Sequence, residues 1–274
     1  MVFGELGRGC HGKVKLCLDT ITGEKWAIKI VEKTAKRRFQ SKLSAAARAA
    51  AEGGLNPPNP HLERIKREIA ILKKCAHPHV VRLREVIDDP HSDKIYLVLE
   101  YLEGGDIAWS NNAEHPKPIQ SVDEARRIFR DVVCGVQYLH YQGIVHRDIK
   151  PANLLWTADH RVKISDFGVS VFVDDDTLEA DELELAKTAG SPAFFAPELC
   201  AIVSQQKLPL LGAPIDIWAM GITLFCFVFG KVPFMAETEY SLFNVIVKDP
   251  LVIPDEPHIT DDLRNLFHRL LEKE

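Results

Sequence analysis

"IVHRDIKPANLL", residues 144–155, decides how the rest of this chain is read. It packs His146, Arg147, Asp148, Lys150 and Asn153 into eight residues bounded by apolar runs. Polar groups that dense are poorly explained by packing, because an ionic side chain withdrawn from water must be paired or hydrogen-bonded. Just downstream, "VKISDFGVS" (162–170) sets Asp166 after an apolar strand and before a Phe-Gly that cannot continue it. A metal-bound triphosphate needs such a set: an acid to orient a hydroxyl, an amide and a carboxylate for Mg²⁺, and lysines for phosphate charge.

Upstream, "GRGCHGKV" (7–14) holds Gly7, Gly9 and Gly12. Bare glycines let amide N–H groups close around anionic oxygens, although the same letters also suit an ordinary hairpin. Fifteen residues after Val14, "AIK" places Lys29 in a strand. Alone, Lys29 reads as a solvated edge charge and Glu68 as one more charge on a polar helix. They gain meaning only beside the later motifs.

Composition sets bounds on the function. The chain has 274 residues, 46% hydrophobic and 27% charged, which is ordinary for a folded protein with one large domain or two lobes. A formal charge of −5 argues against a nucleic-acid binder driven by bulk electrostatics. Six cysteines (10, 17, 75, 134, 200 and 226) include no C-x-x-C pair, which reads as reduced thiols and not as a disulfide frame or zinc site. The most apolar run, "IWAMGITLFCFVFG" (217–230), is short for a membrane span and reads as a buried helix. The expectation is a cytoplasmic protein that engages neither membrane nor nucleic acid.

The N-terminal part reads as β-structure, with "KVKLCLDT" and "EKWAIKIVE" joined by "ITGE", whose Gly23 suits a turn. Residues 34–60 run from basic to Ala-rich to Pro/Gly-rich and read as an insertion. A helix is expected over about 61–75 from Ile65, Ile69 and Leu72, then two strands, "VVRLREVI" and "KIYLVLEYL". From about 121 the text is mainly helical, opening on a Ser/Asp cap signal and stopping at Gly143. The order predicts an α+β protein of two lobes with a cleft between them: residues 1–102 β-rich with the insertion at about 34–60, and residues 103–274 helical.

In order and spacing these motifs resemble the signature set of eukaryotic protein kinases, over essentially the full length. The resemblance implies the bilobal kinase fold and use of ATP and Mg²⁺. It implies that Gly7, Gly9 and Gly12 cover the phosphates, that Val14 and Ala27 face the adenine with Leu6 and Leu155 also at the nucleotide, and that Leu99 lies behind the base. The backbones of Glu100 and Leu102 would meet the adenine edge. Lys29 would hold the α/β-phosphates and pair with Glu68. Asp148 would accept or orient the substrate hydroxyl proton, Lys150 neutralise the γ-phosphate, and Asn153 and Asp166 hold Mg²⁺. Asp106 would read the ribose or a substrate arginine. His146 and Phe167, with Leu72 and Leu83, would be packing pieces of an apolar column, and Asp216 would hold the catalytic-loop backbone. "KPAN" after Asp148, with "GSPAFFAPE" and its Ser191, resembles serine/threonine kinases.

"REIAILKKCAHPHVVRLREVIDDP", "DFGVS" and "WAMGITLFCFVFGKVPFM" are similar to the calcium/calmodulin-dependent protein kinase kinases and their fungal relatives. That resemblance implies a protein substrate, the activation loop of an AMP-activated-type kinase, with any calmodulin-binding segment beyond residue 274. The alternatives are an ATP-binding pseudokinase-like scaffold and a calmodulin-dependent-type kinase of broad specificity; Ala152, where basophilic kinases often carry Glu, weighs against the latter. In the activation segment Lys187 occupies a common phosphorylation position and Thr188 follows. The acidic run 174–184 around Thr177 reads either as a solvated loop or as a carboxylate substitute for a phosphate near Arg147. Family members continue past "LFHRLLEKE" with an arginine that pairs with the "APE" glutamate, so a C-terminally truncated, less stable domain with Glu198 lacking that partner is expected. Cys10 reads as a tolerated loop residue or an oxidisable thiol.

Overall fold

A computed structural model describes residues 1–9, 12–34, 59–109, 121–173, 191–200 and 212–273. The chain divides into two compact units, Met1–Lys73 with Leu83–Tyr101, and Lys74–Arg82 with Leu102–Glu274.

The first unit is built on an antiparallel sheet of β1 (Val2–Gly9), β2 (Gly12–Leu18), β3 (Lys25–Glu32), β4 (Leu83–Asp88) and β5 (Lys94–Glu100), in the order β1-β2-β3-β5-β4. Alternation along β3 buries Ala27, Lys29 and Val31 on one face. The β2–β3 turn forms as expected: Asp19 Oδ1 accepts from the Ile21 and Thr22 N–H groups, and Gly23 takes φ 74°. Those backbone donors hold the Asp19 carboxyl below its usual range. Helix α1 (Pro60–Lys74) starts with Pro at its first position, where a missing N–H costs nothing, and Asn59 Oδ1 accepts from the His61 N–H at 3.1 Å. It buries Ile65, Glu68, Ile71 and Leu72.

The second unit is organised on α2 (Val122–Tyr141) and α3 (Ala213–Phe229). Ser121 Oγ caps α2 by accepting from the Glu124 N–H at 3.1 Å, and Gly143, at φ 70°, ends the helix in the left-handed conformation that glycine adopts without a Cβ clash. Helix α3 is buried nearly all round, which accounts for the apolar run as core and not membrane. Among the described residues no helix is long and apolar enough to cross a membrane. Helices α4 (Glu239–Lys248) and α5 (Asp261–Leu270) are capped by Thr238 and Thr260. Short ladders complete the unit: β6 (Gly105–Asp106), β8 (Leu154–Trp156) and β9 (Val162–Ile164) in one, β7 (Ile144–Val145) and β10 (Val171–Phe172) in the other.

Residues 74–82 differ from the sequence expectation, which left them in the first lobe. Their hydrogen bonds run into the second unit: the Ala76 N–H to Tyr138 Oη, the Val81 N–H to the Ile164 carbonyl, and Lys74 Nζ to the Gln142 carbonyl. Backbone groups must find partners wherever the chain is buried, and these find them on α2 and β9.

Candidate active site

In the first unit the glycine segment is the β1–β2 hairpin, with Gly7 opposite Val14 and Gly9 opposite Gly12. Gly12 has φ 131°, and a Cβ there would overlap the Ile30 carbonyl oxygen, so backbone shape requires glycine. At Gly7 a Cβ would meet nothing, so internal packing does not demand the glycine there. Leu6 is exposed and Val14 half-buried. Ala27 is buried across from Leu99 of β5, and half-buried Glu100 pairs with Trp26.

Lys29 lies mid-strand between Val14 and Leu97, on the buried face. Its Nζ donates to Glu68 Oε1 at 2.6 Å, and the two residues are only 6% and 4% exposed. Burying either charge alone would cost several kcal/mol, on the order of 3–5 for a pair with one partner removed. A lysine and a glutamate 39 residues apart thus meet in a buried setting, where their pairing offsets the cost of both charges.

In the second unit the segment 146–153 leaves β7 and turns sharply at Arg147, whose φ of 70° is uncommon for a residue with a Cβ. Asp216 of α3, fully buried, holds the turn: its Oδ2 accepts from the His146 N–H and its Oδ1 from the Arg147 N–H, both at 2.8 Å. His140 Nε2 lies 2.8 Å from the same Oδ2. The His146 carbonyl accepts from Ser170 Oγ at 3.0 Å. His146 accepts at Nδ1 from the Asp148 N–H and donates from Nε2 to the Ser165 carbonyl, and its ring meets Phe167 edge-on at 4.9 Å.

Asp148 is the centre of the polar cluster. Its Oδ2 accepts from Lys150 Nζ and Asn153 Nδ2, each at 2.8 Å, and Asn153 Nδ2 also donates to the Asp148 carbonyl at 2.7 Å. Lys150 Nζ donates onward to Ser191 Oγ at 3.2 Å. Asp148 Oδ1, by contrast, is buried and finds no hydrogen-bond partner among the described residues. A buried carboxylate oxygen left unmatched is costly, so its presence asks for a function. Because Asn153 spends its amide nitrogen on Asp148, its Oδ1 is the atom left for another ligand. The Asn153 carbonyl accepts from both the N–H and the Oγ–H of Ser165, at 2.8 and 2.9 Å, which ties the loop to the neighbour of Asp166. Asp166 itself has φ 59°, with the Gly168 N–H at 3.4 Å from Oδ1. Asp106, exposed, is the cross-strand partner of half-buried Leu155, and buried Leu102 accepts at its carbonyl from the Gly105 N–H.

Within each unit, then, the expected residues come together: Lys29 with Glu68, and Asp148 with Lys150, Asn153 and Ser191. His140, Ser165 and Ser170 support the loop without having been singled out from sequence. His140 could have been suspected from its place four residues after buried Val136, where α2 faces the core. Glu198 is half-buried and forms no ion pair among the described residues. Cys10, His11, the insertion over 35–58, and Thr177, Lys187 and Thr188 lie outside the described residues.

Residues 1–274 match the protein kinase domain family. The chain belongs to that family. Among curated relatives, this kinase domain is 52% identical over 273 residues to serine/threonine-protein kinase ssp1 of Schizosaccharomyces pombe, covering all of this chain and 39% of that protein. It is 46% identical to SNF1-activating kinase 1 of Saccharomyces cerevisiae, over 92% of this chain and 23% of that protein. It is 40% identical to a calcium/calmodulin-dependent protein kinase kinase of Caenorhabditis elegans, over 98% of this chain and 48% of that protein. The kinase domain thus spans less than half the length of each of these relatives.

Proposed function

We propose that this kinase domain transfers the γ-phosphoryl group of ATP to a serine or threonine hydroxyl of another protein kinase. The observation that carries the reading is Asp148: one oxygen is fixed by Lys150 and Asn153, and the other is buried with no partner among the described residues. That free oxygen suits the proton of an incoming alcohol. In the reaction the alcohol oxygen bonds to the γ-phosphorus, the bond to the β,γ-bridging oxygen breaks, and the alcohol proton passes to Asp148.

Lys29, steadied by Glu68, is suited to pair with the α- and β-phosphate oxygens, and the open space at Gly7 leaves room for a phosphate against the hairpin backbone. Leu6, Val14, Ala27, Leu99 and Leu155 offer apolar surface for the base, with the backbones of Glu100 and Leu102 and the Asp106 carboxylate as polar contacts. Lys150 stands beside Asp148 with charge for the transferred group. Asn153 Oδ1 and the Asp166 carboxylate are hard oxygen donors of the kind Mg²⁺ accepts alongside substrate phosphates. When bound, Mg²⁺ neutralises charge on the β- and γ-phosphate oxygens.

The acceptor class is supported by the similarity to a SNF1-activating kinase and to a protein kinase kinase. The test is transfer of labelled γ-phosphate from Mg²⁺·ATP to a catalytically dead SNF1-type kinase domain, with a basic peptide alongside. Label on an activation-loop serine or threonine of the dead kinase is expected. Label on the basic peptide alone would contradict the acceptor class, and label on neither would contradict the activity.

A further inference from the structure

Segment 165–170 carries Asp166 at φ 59°, a left-handed conformation that a residue with a Cβ holds only where its surroundings impose it. On the upstream side the Ser165 N–H and Oγ–H both donate to the Asn153 carbonyl, and the Ser165 carbonyl lies 3.1 Å from His146 Nε2. On the downstream side the Ser170 N–H closes a turn onto the Phe167 carbonyl at 3.1 Å, and Val171 and Phe172 pair with Val145 and Ile144. That strand pairing ends at Val171 and Val145. Ser170 carries the contact one residue further: its Oγ–H donates to the His146 carbonyl at 3.0 Å, 24 residues away, and the residue is only 3% exposed.

The acceptor of that bond is a fixed point. The His146 carbonyl and the Arg147 N–H belong to one planar peptide unit, and the N–H is held at 2.8 Å by Oδ1 of fully buried Asp216 on α3. The peptide plane is thus tied at both edges, by Asp216 on one side and Ser170 on the other. The bond to Ser170 is made by its side chain alone. Alanine would place the same Cβ at position 170 but no donor, and the His146 carbonyl would lose the hydroxyl that meets it. Pairing of β10 with β7 is made by backbone groups and needs no hydroxyl there.

We propose that Ser170 is a positioning residue for Asp166: its hydroxyl latches segment 165–170 onto the peptide unit held by Asp216, and so keeps the Asp166 carboxylate set for a divalent cation. Ser170 gives its hydroxyl proton to the backbone, so it acts through Asp166 and its effect falls on metal affinity, not on the chemical step. The inference rests on the assignment of Asn153 and Asp166 to Mg²⁺ made above. Once the latch is lost, the strain at Asp166 favours other backbone conformations. The apparent metal affinity is then scaled by the fraction of molecules that keep the set one.

The experiment compares the unaltered chain with Ser170→Ala, Ser170→Thr, Val169→Ala and Asp166→Asn. Mn²⁺ binding in the presence of ADP is read by electron paramagnetic resonance, ADP binding without metal by calorimetry, and each chain is melted. Phosphoryl transfer is measured across Mg²⁺ concentrations. Ser170→Ala is expected to raise the Mn²⁺ dissociation constant, and the Mg²⁺ concentration for half-maximal transfer, about threefold to tenfold, the worth of one hydrogen bond. Metal-free ADP affinity and kcat at saturating Mg²⁺ should stay within about twofold. Ser170→Thr keeps the donor and is expected to restore most of the metal affinity. Val169→Ala trims the buried neighbour, and is expected to lower the melting temperature with Mn²⁺ affinity within about twofold. A lower melting temperature for Ser170→Ala with unchanged Mn²⁺ affinity would overturn the proposal and leave Ser170 a packing residue. An equal loss of Mn²⁺ affinity in Val169→Ala would overturn it too. Undiminished Mn²⁺ affinity in Asp166→Asn would instead overturn the metal assignment, so the two failures are distinct.

Discussion

The two units hold their charged groups by opposite means. In the first, Lys29 and Glu68 form a buried ion pair at 2.6 Å, one partner on β3 and the other on α1, with apolar neighbours on the sheet. In the second, Asp216, His140, His146, Ser165 and Ser170 fix the loop through many hydrogen bonds, most of them to backbone. An ion pair that joins a strand to a helix keeps its geometry only while α1 stays packed, so movement of one helix can undo it. The loop network is over-determined, and that redundancy lets it carry Arg147 and Asp166 at positive φ. The contrast assigns adjustability to the first unit and rigidity to the second.

The sharpest way to break the contrast is at Asp148. Asp148→Asn keeps the shape but removes the acceptor, and phosphotransfer is expected to fall by about a thousandfold or more, within reach of the usual general-base contribution. The melting temperature should change little. Next comes Asp216→Ala, which strips the acceptor from the His146 and Arg147 N–H groups and from His140. Unsatisfied buried donors cost about 1–3 kcal/mol each, so denaturant melts are expected to show a loss of about 3 kcal/mol or more. If Asp216→Ala melts like the parent, the loop is not held as described.

Lys29→Met probes the other unit. It leaves Glu68 buried without its partner, and a loss of about 3 kcal/mol is expected. Adding Glu68→Leu should recover most of that stability, because an apolar pair replaces the ionic one, while activity stays lost. Recovery of activity in the double variant would refute the role given to Lys29. Ser191→Ala removes one hydrogen bond from the Lys150 ammonium, and a fall in kcat of about tenfold is expected, since a hydrogen bond from a charged group is worth about 1.5 kcal/mol or more.

The smallest effect is in pH. Burial, with His79 and Lys163 nearby, holds the His77 imidazole below its usual range. As pH falls through about 6.5 the unfolded chain takes up that proton before the folded one, so stability declines toward the lowered folded value. His77 stacks on Tyr138 at 4.7 Å, and His77→Phe should keep the stack while reducing the loss in melting temperature between pH 7.5 and 5.5. An unchanged pH dependence would assign it elsewhere.

How far the sequence speaks follows the same division. Asp148, Asn153 and Asp166 stand out because ionic and amide groups crowd between apolar runs, whereas Gly12 stands out only by the glycine spacing, and its backbone reason is seen in the structure. The capped α2 and buried α3 are legible from Ser121, Gly143 and the apolar run. Less legible is whatever depends on a partner far along the chain. Residues 74–82, the end of a helix and the start of a strand in the sequence reading, fall with the first lobe there, and only their bonds to Tyr138, Gln142 and Ile164 move them to the second unit. His140 and Ser170 look like ordinary helix and loop residues until Asp216 and the His146 carbonyl are beside them.

The central claim is that Asp148 is the acceptor in phosphoryl transfer, and single-turnover transfer from Mg²⁺·ATP, with nucleotide affinity measured in parallel, tests it most directly. The account expects Asp148→Asn to bind Mg²⁺·ATP within about threefold of the parent while transfer falls by about a thousandfold or more. Transfer that persists in Asp148→Asn, or is lost only together with nucleotide binding, would contradict it.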